Sequence, residues 1–190
     1  RHMERQYHNF DFDLDGQEKQ LEQLIVKARQ RYMAVGAKLA ERFLTQYRLA
    51  GFKLPGALRQ REIFTRHVKP ALAQGKTAYV WVDALRFEMG RELAQTLAAE
   101  YEATVRAAVA TAPTITEIGM AALLPDGETA VVSAGSGKLA LRIGQSVIKN
   151  RAERIKFLQE QAGVKVANVK LDDLLPKPKK TIREAIETAD

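Results

Sequence analysis

The sequence predicts an α/β protein, a mainly parallel sheet with flanking helices preceded by a helical segment, and three observations lead there. Through the first quarter of the chain, apolar residues recur at three- and four-residue steps, the period of a helix face. At Gly75 that spacing gives way to a short run of strand formers, Thr77-Ala78-Tyr79-Val80-Trp81-Val82, apolar on both faces as a buried central strand is. Beyond it, strand-like and helix-like stretches alternate, the pattern of βαβ units.

Taken in order, Arg1-His2-Met3 has the look of an expression-tag remnant, so residues 1–3 are set apart and His2 carries no weight. Residues 4–75 read as the helical segment. Its long helix spans Gln17 to Leu49, with Leu21, Leu24, Ile25, Ala28, Tyr32, Val35, Leu39, Phe43 and Leu44 on one stripe and Gly51 as the stop. A second helix is expected from about Pro55 to Ala73, kinked or shortened at Pro70, with Leu58, Ile63, Phe64, Val68 and Leu72 as its buried face. Residues 76–190 read as the α/β part. After the strand at Thr77–Val82 come a helix at Leu85–Glu100, a strand at Thr104–Val109, a short helix from Pro113 to Leu124, and the turn Pro125-Asp126-Gly127. Two short strands around Val131 and Leu141 flank Gly135-Ser136-Gly137. A helix from Ser146 to Gln161, a strand at Val164–Val169, the basic linker Lys177-Pro178-Lys179-Lys180 and an amphipathic segment from Thr181 complete the chain.

Composition removes several function classes. The 190 residues contain no cysteine, so disulfides, thiolate metal sites and cysteine nucleophiles are all excluded, and a reducing, cytoplasmic setting is expected. No apolar run approaches the roughly 20 residues that cross a bilayer, so no membrane partner is expected. The formal net charge of +7 suits a phosphate-rich partner such as nucleic acid. The basic residues, however, are scattered as on solvated helix faces, through Arg48, Lys53, Arg59, Arg61, Arg66 and Lys69, then Lys149, Arg151, Arg154 and Lys156.

Two local motifs dissolve on inspection. Asp11, Asp13, Asp15, Gly16 and Glu22 satisfy the calcium-loop spacing of an EF-hand. No amphipathic helix enters that loop, and Glu18 stands where an apolar residue normally packs, so the acids read better as a cap on the helix beginning near Gln17. Gly135-Ser136-Gly137-Lys138 lacks the upstream glycine of a phosphate loop and the hydroxyl after its lysine, which leaves a hairpin turn. His67 has no histidine or carboxylate four residues away and reads as an ordinary surface or core histidine.

More chemistry attaches to Val80-Trp81-Val82-Asp83-Ala84-Leu85-Arg86-Phe87-Glu88-Met89, where an aspartate ends a strand and precedes a helix. Open α/β sheets place their ligands at that position, although a helix cap would use the same residue. A second segment, Ala112-Pro113-Thr114-Ile115-Thr116-Glu117-Ile118-Gly119-Met120-Ala121-Ala122-Leu123-Leu124-Pro125, sets a hydroxyl near the start of another helix. It can bind a metal, attack phosphorus, or merely cap.

Together the two segments resemble the PglZ family of the alkaline phosphatase superfamily, strongly over Gly75–Pro125 and loosely to Asp190. The resemblance implies a partial alkaline-phosphatase-like domain and metal-dependent hydrolysis of a phosphomonoester or phosphodiester, a nucleic acid among the candidate substrates. It further implies bacterial phage defence of the BREX kind, beside a methyltransferase and other large defence proteins. Asp83 would be a metal ligand, and Thr116 the nucleophile or metal-bridging hydroxyl, with Thr114 in competition. Arg86 and Glu88 would give structural support. A divalent metal, zinc by the resemblance, would serve the site, a pair of such ions clamping both the attacking and the leaving oxygens. The superfamily completes its site with later Asp, Asp-His and His ligands, yet His2, His8 and His67 all precede Asp83, and Asp126, Asp172 and Asp173 form no Asp-His pair. The expectation is therefore a catalytically incomplete fragment that binds no metal by itself. The competing class is a non-catalytic scaffold or nucleic-acid-binding module. If Asp83 and Thr116 share an ion at about 2.0–2.2 Å each, their oxygens should lie roughly 3–4.5 Å apart, or up to about 8 Å in an open site.

Overall fold

The computed structural model describes residues 18–190 apart from Ser136, with side chains from residue 23 onward. The tag remnant, the acidic Asp11–Asp15 cluster, and the side chain of Glu22 lie outside the described residues. The elements are α1 (Glu18–Leu49), β1 (Leu58–Arg59), α2 (Lys69–Leu72), α3 (Phe87–Leu97), β2 (Ala108–Val109) and α4 (Thr116–Ala121), then β3 (Val131–Gly135), β4 (Lys138–Ile143), β5 (Ser146–Ile148), α5 (Arg151–Gln161) and α6 (Lys180–Glu187).

The chain divides into two compact units. One comprises the residues up to Gly56 together with Arg86–Val105; the other comprises Ala57–Leu85 and Arg106–Asp190. The first unit holds α1 and α3. The long helix forms as its spacing predicts, and it ends where Gly51 and Phe52 both take positive φ, the Phe52 amide donating back to the Tyr47 carbonyl at 2.8 Å.

The second unit carries the main core. In α4, Ile118, Ala121 and Ala122 recur at three- and four-residue steps and are wholly covered. They meet Leu141 and Ile143 of β4, Ile148 of β5, and Phe157 and Leu158 of α5, with Phe64 and Val68 closing the cluster. Strands β3, β4 and β5 form an antiparallel sheet in that order, and the Gly135–Lys138 hairpin joins the first two, as expected of a turn rather than a phosphate loop.

Several expectations need correction. Among the described residues the only parallel pairing joins Leu58 to Ala108 and Arg59 to Val109; the larger sheet is antiparallel, so a mainly parallel sheet is not what forms. The Thr77–Val82 run enters no ladder with the described strands, although its burial alternates residue by residue as a strand's would. Tyr79 and Trp81 pack on the core, edge to face with ring centroids 5.5 Å apart, whereas Val80 on the opposite face is 75% exposed.

The helix expected over Pro55–Ala73 is broken instead. Leu58 and Arg59 are drawn into the parallel pair, a tight 3-10 turn follows at Gln60–Glu62, and a wider π turn at Phe64–Val68 leads into α2. Pro70 lies near the start of α2, which continues the helical backbone of the π turn through Val68 and Lys69. The expected buried face nonetheless survives in Phe64 and Val68. Similarly, Ser146–Ile148 pairs with β4 before α5 begins, and α5 starts only at Arg151, after Asn150, whose side chain accepts from the Glu153 amide. At Lys165 both backbone groups are taken by Asp190, through the Asp190 carboxylate at 2.8 Å and its amide at 3.1 Å, so the Val164–Val169 strand does not form.

Candidate active site

The position of Thr116 follows from the burial of Ile118. At about 100° per residue, a side chain two positions earlier lies some 200° around the helix, away from the core. Thr116 is accordingly exposed at the first residue of α4, after Ile115 in an extended conformation. Tyr79 and Trp81 turn their rings to the core, and Asp83 stands in the turn that follows them. Tyr79 Oη donates to the Leu123 carbonyl just past the end of α4 at 3.1 Å, and Asp83 Oδ2 accepts from Thr116 Oγ1 at its beginning, also at 3.1 Å. The run therefore lies antiparallel along α4.

This bond unites two residues 33 positions apart in sequence, and the 3.1 Å separation falls within the range for oxygens that share an ion. The second carboxylate oxygen of Asp83, Oδ1, accepts the Ala84 amide at 3.0 Å, and Ala84 itself has φ of +55°. A residue with a Cβ held there stores about 1–3 kcal/mol of backbone strain, supported by the surrounding contacts. The carboxylate is thus tied on one oxygen and aimed by the other. Burial pushes the Tyr79 phenol well above the usual tyrosine range, so its hydroxyl stays a donor and the far end of the run is pinned.

The remaining residues of the motif separate. Thr114 is exposed and makes no hydrogen bond to Asp83 among the described residues. Arg86 and Glu88 form an ion pair of 3.4 Å in the other unit. Of the later acids, Asp173 accepts the Lys170 amide at 3.2 Å, and Asp126 takes a left-handed backbone conformation, with φ of +57°, that opens the turn into Gly127.

A divalent metal, which the resemblance implies, can be tested against this donor set. Asp83 and Thr116 supply two hard oxygens at a suitable separation, of the type that zinc or magnesium accepts. Among the described residues no cluster of three or more His, Cys, Asp or Glu groups stands together. The pair therefore fits as part of a ligand set.

The reading of the sequence missed one buried charged residue. Arg154, grouped there with solvated basic residues, is 8% exposed on the buried face of α5, next to Phe157 and Leu158. The signal was present in its spacing, since residues three and four positions before two core residues share their stripe.

Residues 63–189, more than half of the chain, match the family model for the BREX system PglZ alkaline phosphatase-like domain, and the chain belongs to that family. A curated relative, the alkaline phosphatase-like protein BrxZ of Escherichia coli O9:H4 (strain HS), is 36% identical over 83 residues, which make up 41% of this chain and 10% of the relative. The chain thus spans about a tenth of the length of the curated relative it matches. No solved structure matches it. No helix of the described residues is long and apolar enough to cross a membrane.

Proposed function

We propose that this chain is the part of a metal-dependent phosphatase or phosphodiesterase that supplies the nucleophile, Thr116, and one metal ligand, Asp83. The observation that carries the reading is the 3.1 Å bond between them on an exposed face. Asp83 Oδ2 holds the Thr116 proton, which turns the lone pairs of Oγ1 toward solvent, where a phosphoryl group approaches. Attack forms the Oγ1–P bond as the bond to the leaving oxygen breaks; the Thr116 proton is released to solvent, the leaving oxygen takes a proton from water to depart as an alcohol, and water then hydrolyses the phosphothreonine to phosphate and free Thr116. A bound divalent ion, zinc by family resemblance, would supply charge stabilisation to an alkoxide that threonine cannot reach unaided at neutral pH. Asp83 and Thr116 would hold it, with further ligands from outside the described residues.

In the complete domain, the exposed Val80 face of the run would be covered by neighbouring strands of an alkaline-phosphatase-like sheet. A longer protein that contains this chain would act in the cytoplasm on a phosphate ester, nucleic acid included, with other BREX phage-defence proteins. A nucleic-acid-binding scaffold ranks second, because several of its basic residues are engaged within the chain: Arg59 and Arg66 with Glu62, Arg151 with Asn168, and Lys156 with Glu160.

The test uses a longer family protein that contains this chain. Thr116→Ala should lower hydrolysis of p-nitrophenyl phosphate and its diester by at least about a thousandfold while thermal stability is unchanged. Full activity in both Thr116→Ala and Thr114→Ala would refute the assignment.

A further inference from the structure

The parallel pair of β1 and β2 ends at Arg59 and Val109, because the chain then winds into the tight turn at Gln60–Glu62 and its backbone leaves the ladder. A side chain takes over from the backbone there. Gln60 Oε1 accepts the Thr111 amide at 2.9 Å, two residues beyond the last paired position. Thr111 is only 7% exposed, so without that acceptor its N–H would be covered and unsatisfied. The N–H requires an oxygen, which turns Oε1 of the Gln60 amide toward Thr111 and Nε2 the other way. Nε2 stands beside α4: a Cβ built on Gly119 would meet it at 3.4 Å and Oε1 at 3.8 Å. Gln60 thus bridges the segment that enters α4 and the surface of α4 itself.

The two points it joins flank Thr116, five residues before it and three after. Residues three apart on a helix are neighbours on one face, so the Gln60 amide lies one turn along α4 from the hydroxyl. With six residues and no side-chain cap from Ile115, α4 is too short to be stable by itself, and its start is set by what holds it. Tyr79 fixes the far end of α4 to the run that carries Asp83, through the Leu123 carbonyl. Gln60 holds the end that carries Thr116. We propose that Gln60 is a positioning residue: by holding the Thr111 amide while its own amide rests beside Gly119, it sets where the Thr116 hydroxyl stands toward Asp83. The inference deepens the hydrolase reading and, for its effect on turnover, rests on it. A displacement of about 1 Å at a reacting group costs on the order of a hundredfold in rate, so a residue that touches no substrate can govern turnover.

The first arm of the test uses this 190-residue chain and involves no turnover. The Thr116 methyl resonance is followed by proton–carbon NMR, and its shift on Asp83→Ala reports the contact between the two side chains. Gln60→Leu keeps the bulk and removes the acceptor. In that background the shift should shrink by at least about half, and exchange of the Thr111 amide should accelerate by at least about tenfold. Gln60→Glu keeps an acceptor for the Thr111 amide and should restore both. If Gln60→Leu fails to fold, Gln60→Asn, one methylene too short to reach Thr111, takes its place with the same expectation. The second arm uses a longer family protein that contains this chain. There Gln60→Leu should lower kcat for p-nitrophenyl phosphate by at least about tenfold with KM within about threefold, at a temperature well below its Tm, and Gln60→Glu should recover most of the loss. An unaltered Thr116 response in Gln60→Leu, an unchanged kcat where Thr116→Ala is inactive, or a loss that Gln60→Glu does not restore would overturn the proposal. A Thr116 response lost with Gln60, in a family protein whose Thr116→Ala variant keeps full activity, would leave Gln60 holding the hydroxyl while the hydrolase reading fails.

Discussion

At the scale of single residues, two side-chain environments carry definite consequences. A Cβ added to Gly127 would meet the Ala122 carbonyl oxygen at 2.6 Å and the Arg61 carbonyl oxygen at 3.1 Å, both backbone atoms that cannot rotate away. Gly127→Ala should therefore destabilise the second unit by about 1–3 kcal/mol, the usual cost of overpacking, measurable by urea denaturation. Glu62 accepts from the Arg59 guanidinium and the Arg59 amide, each at 3.0 Å, and these bonds hold its carboxyl down to about 2 from an ordinary value of 4.5. The folded value is depressed, so the contribution is complete above pH 4.5 and is lost as pH falls toward 2. Carbon-detected NMR should place the Glu62 midpoint near 2 and return it toward 4.5 in Arg59→Ala.

At the scale of elements, α4 and α5 are organised by the same core but start differently. The first residues of α4 gain no side-chain cap from Ile115, and Thr116 is left free to reach Asp83. In α5 the Asn150 side chain takes the Glu153 amide at 3.0 Å while the Glu153 carboxylate takes the Lys149 amide at 2.6 Å, a reciprocal closure of the first turn. Asn150→Ala should cost about 1 kcal/mol. Because Arg154 lies in that first turn and a half, hydrogen exchange at the Arg154 amide should accelerate more than at Leu158.

At the scale of the whole molecule, the two units hold separate parts of the recognised motif, and Asp83 and Thr116 fall in the same one. Two oxygens cannot by themselves bind the pair of ions that clamps a displaced phosphoryl group. This chain alone should show no hydrolysis of p-nitrophenyl phosphate stimulated by zinc, manganese or magnesium. Turnover that appears with metal and vanishes in Thr116→Ala would contradict that expectation.

What could be read from the residues alone was whatever depends on local pattern: the long α1, the hairpin at Gly135–Lys138, the turn at Pro125–Gly127, and the two segments that carry the family resemblance. Periodicity and turn chemistry act over a few residues, so they survive without knowledge of the rest of the fold. Tertiary structure alone decided which strands pair, since a ladder requires a neighbour that the strand's own sequence does not specify. It drew Leu58 and Arg59 out of an expected helix to meet Ala108 and Val109, and it left Thr77–Val82 outside the described ladders. It also decided that Arg154 is buried and that the Thr116 hydroxyl meets Asp83 rather than capping its own helix. Each of these turns on contacts between residues far apart in the chain, where packing outweighs local preference.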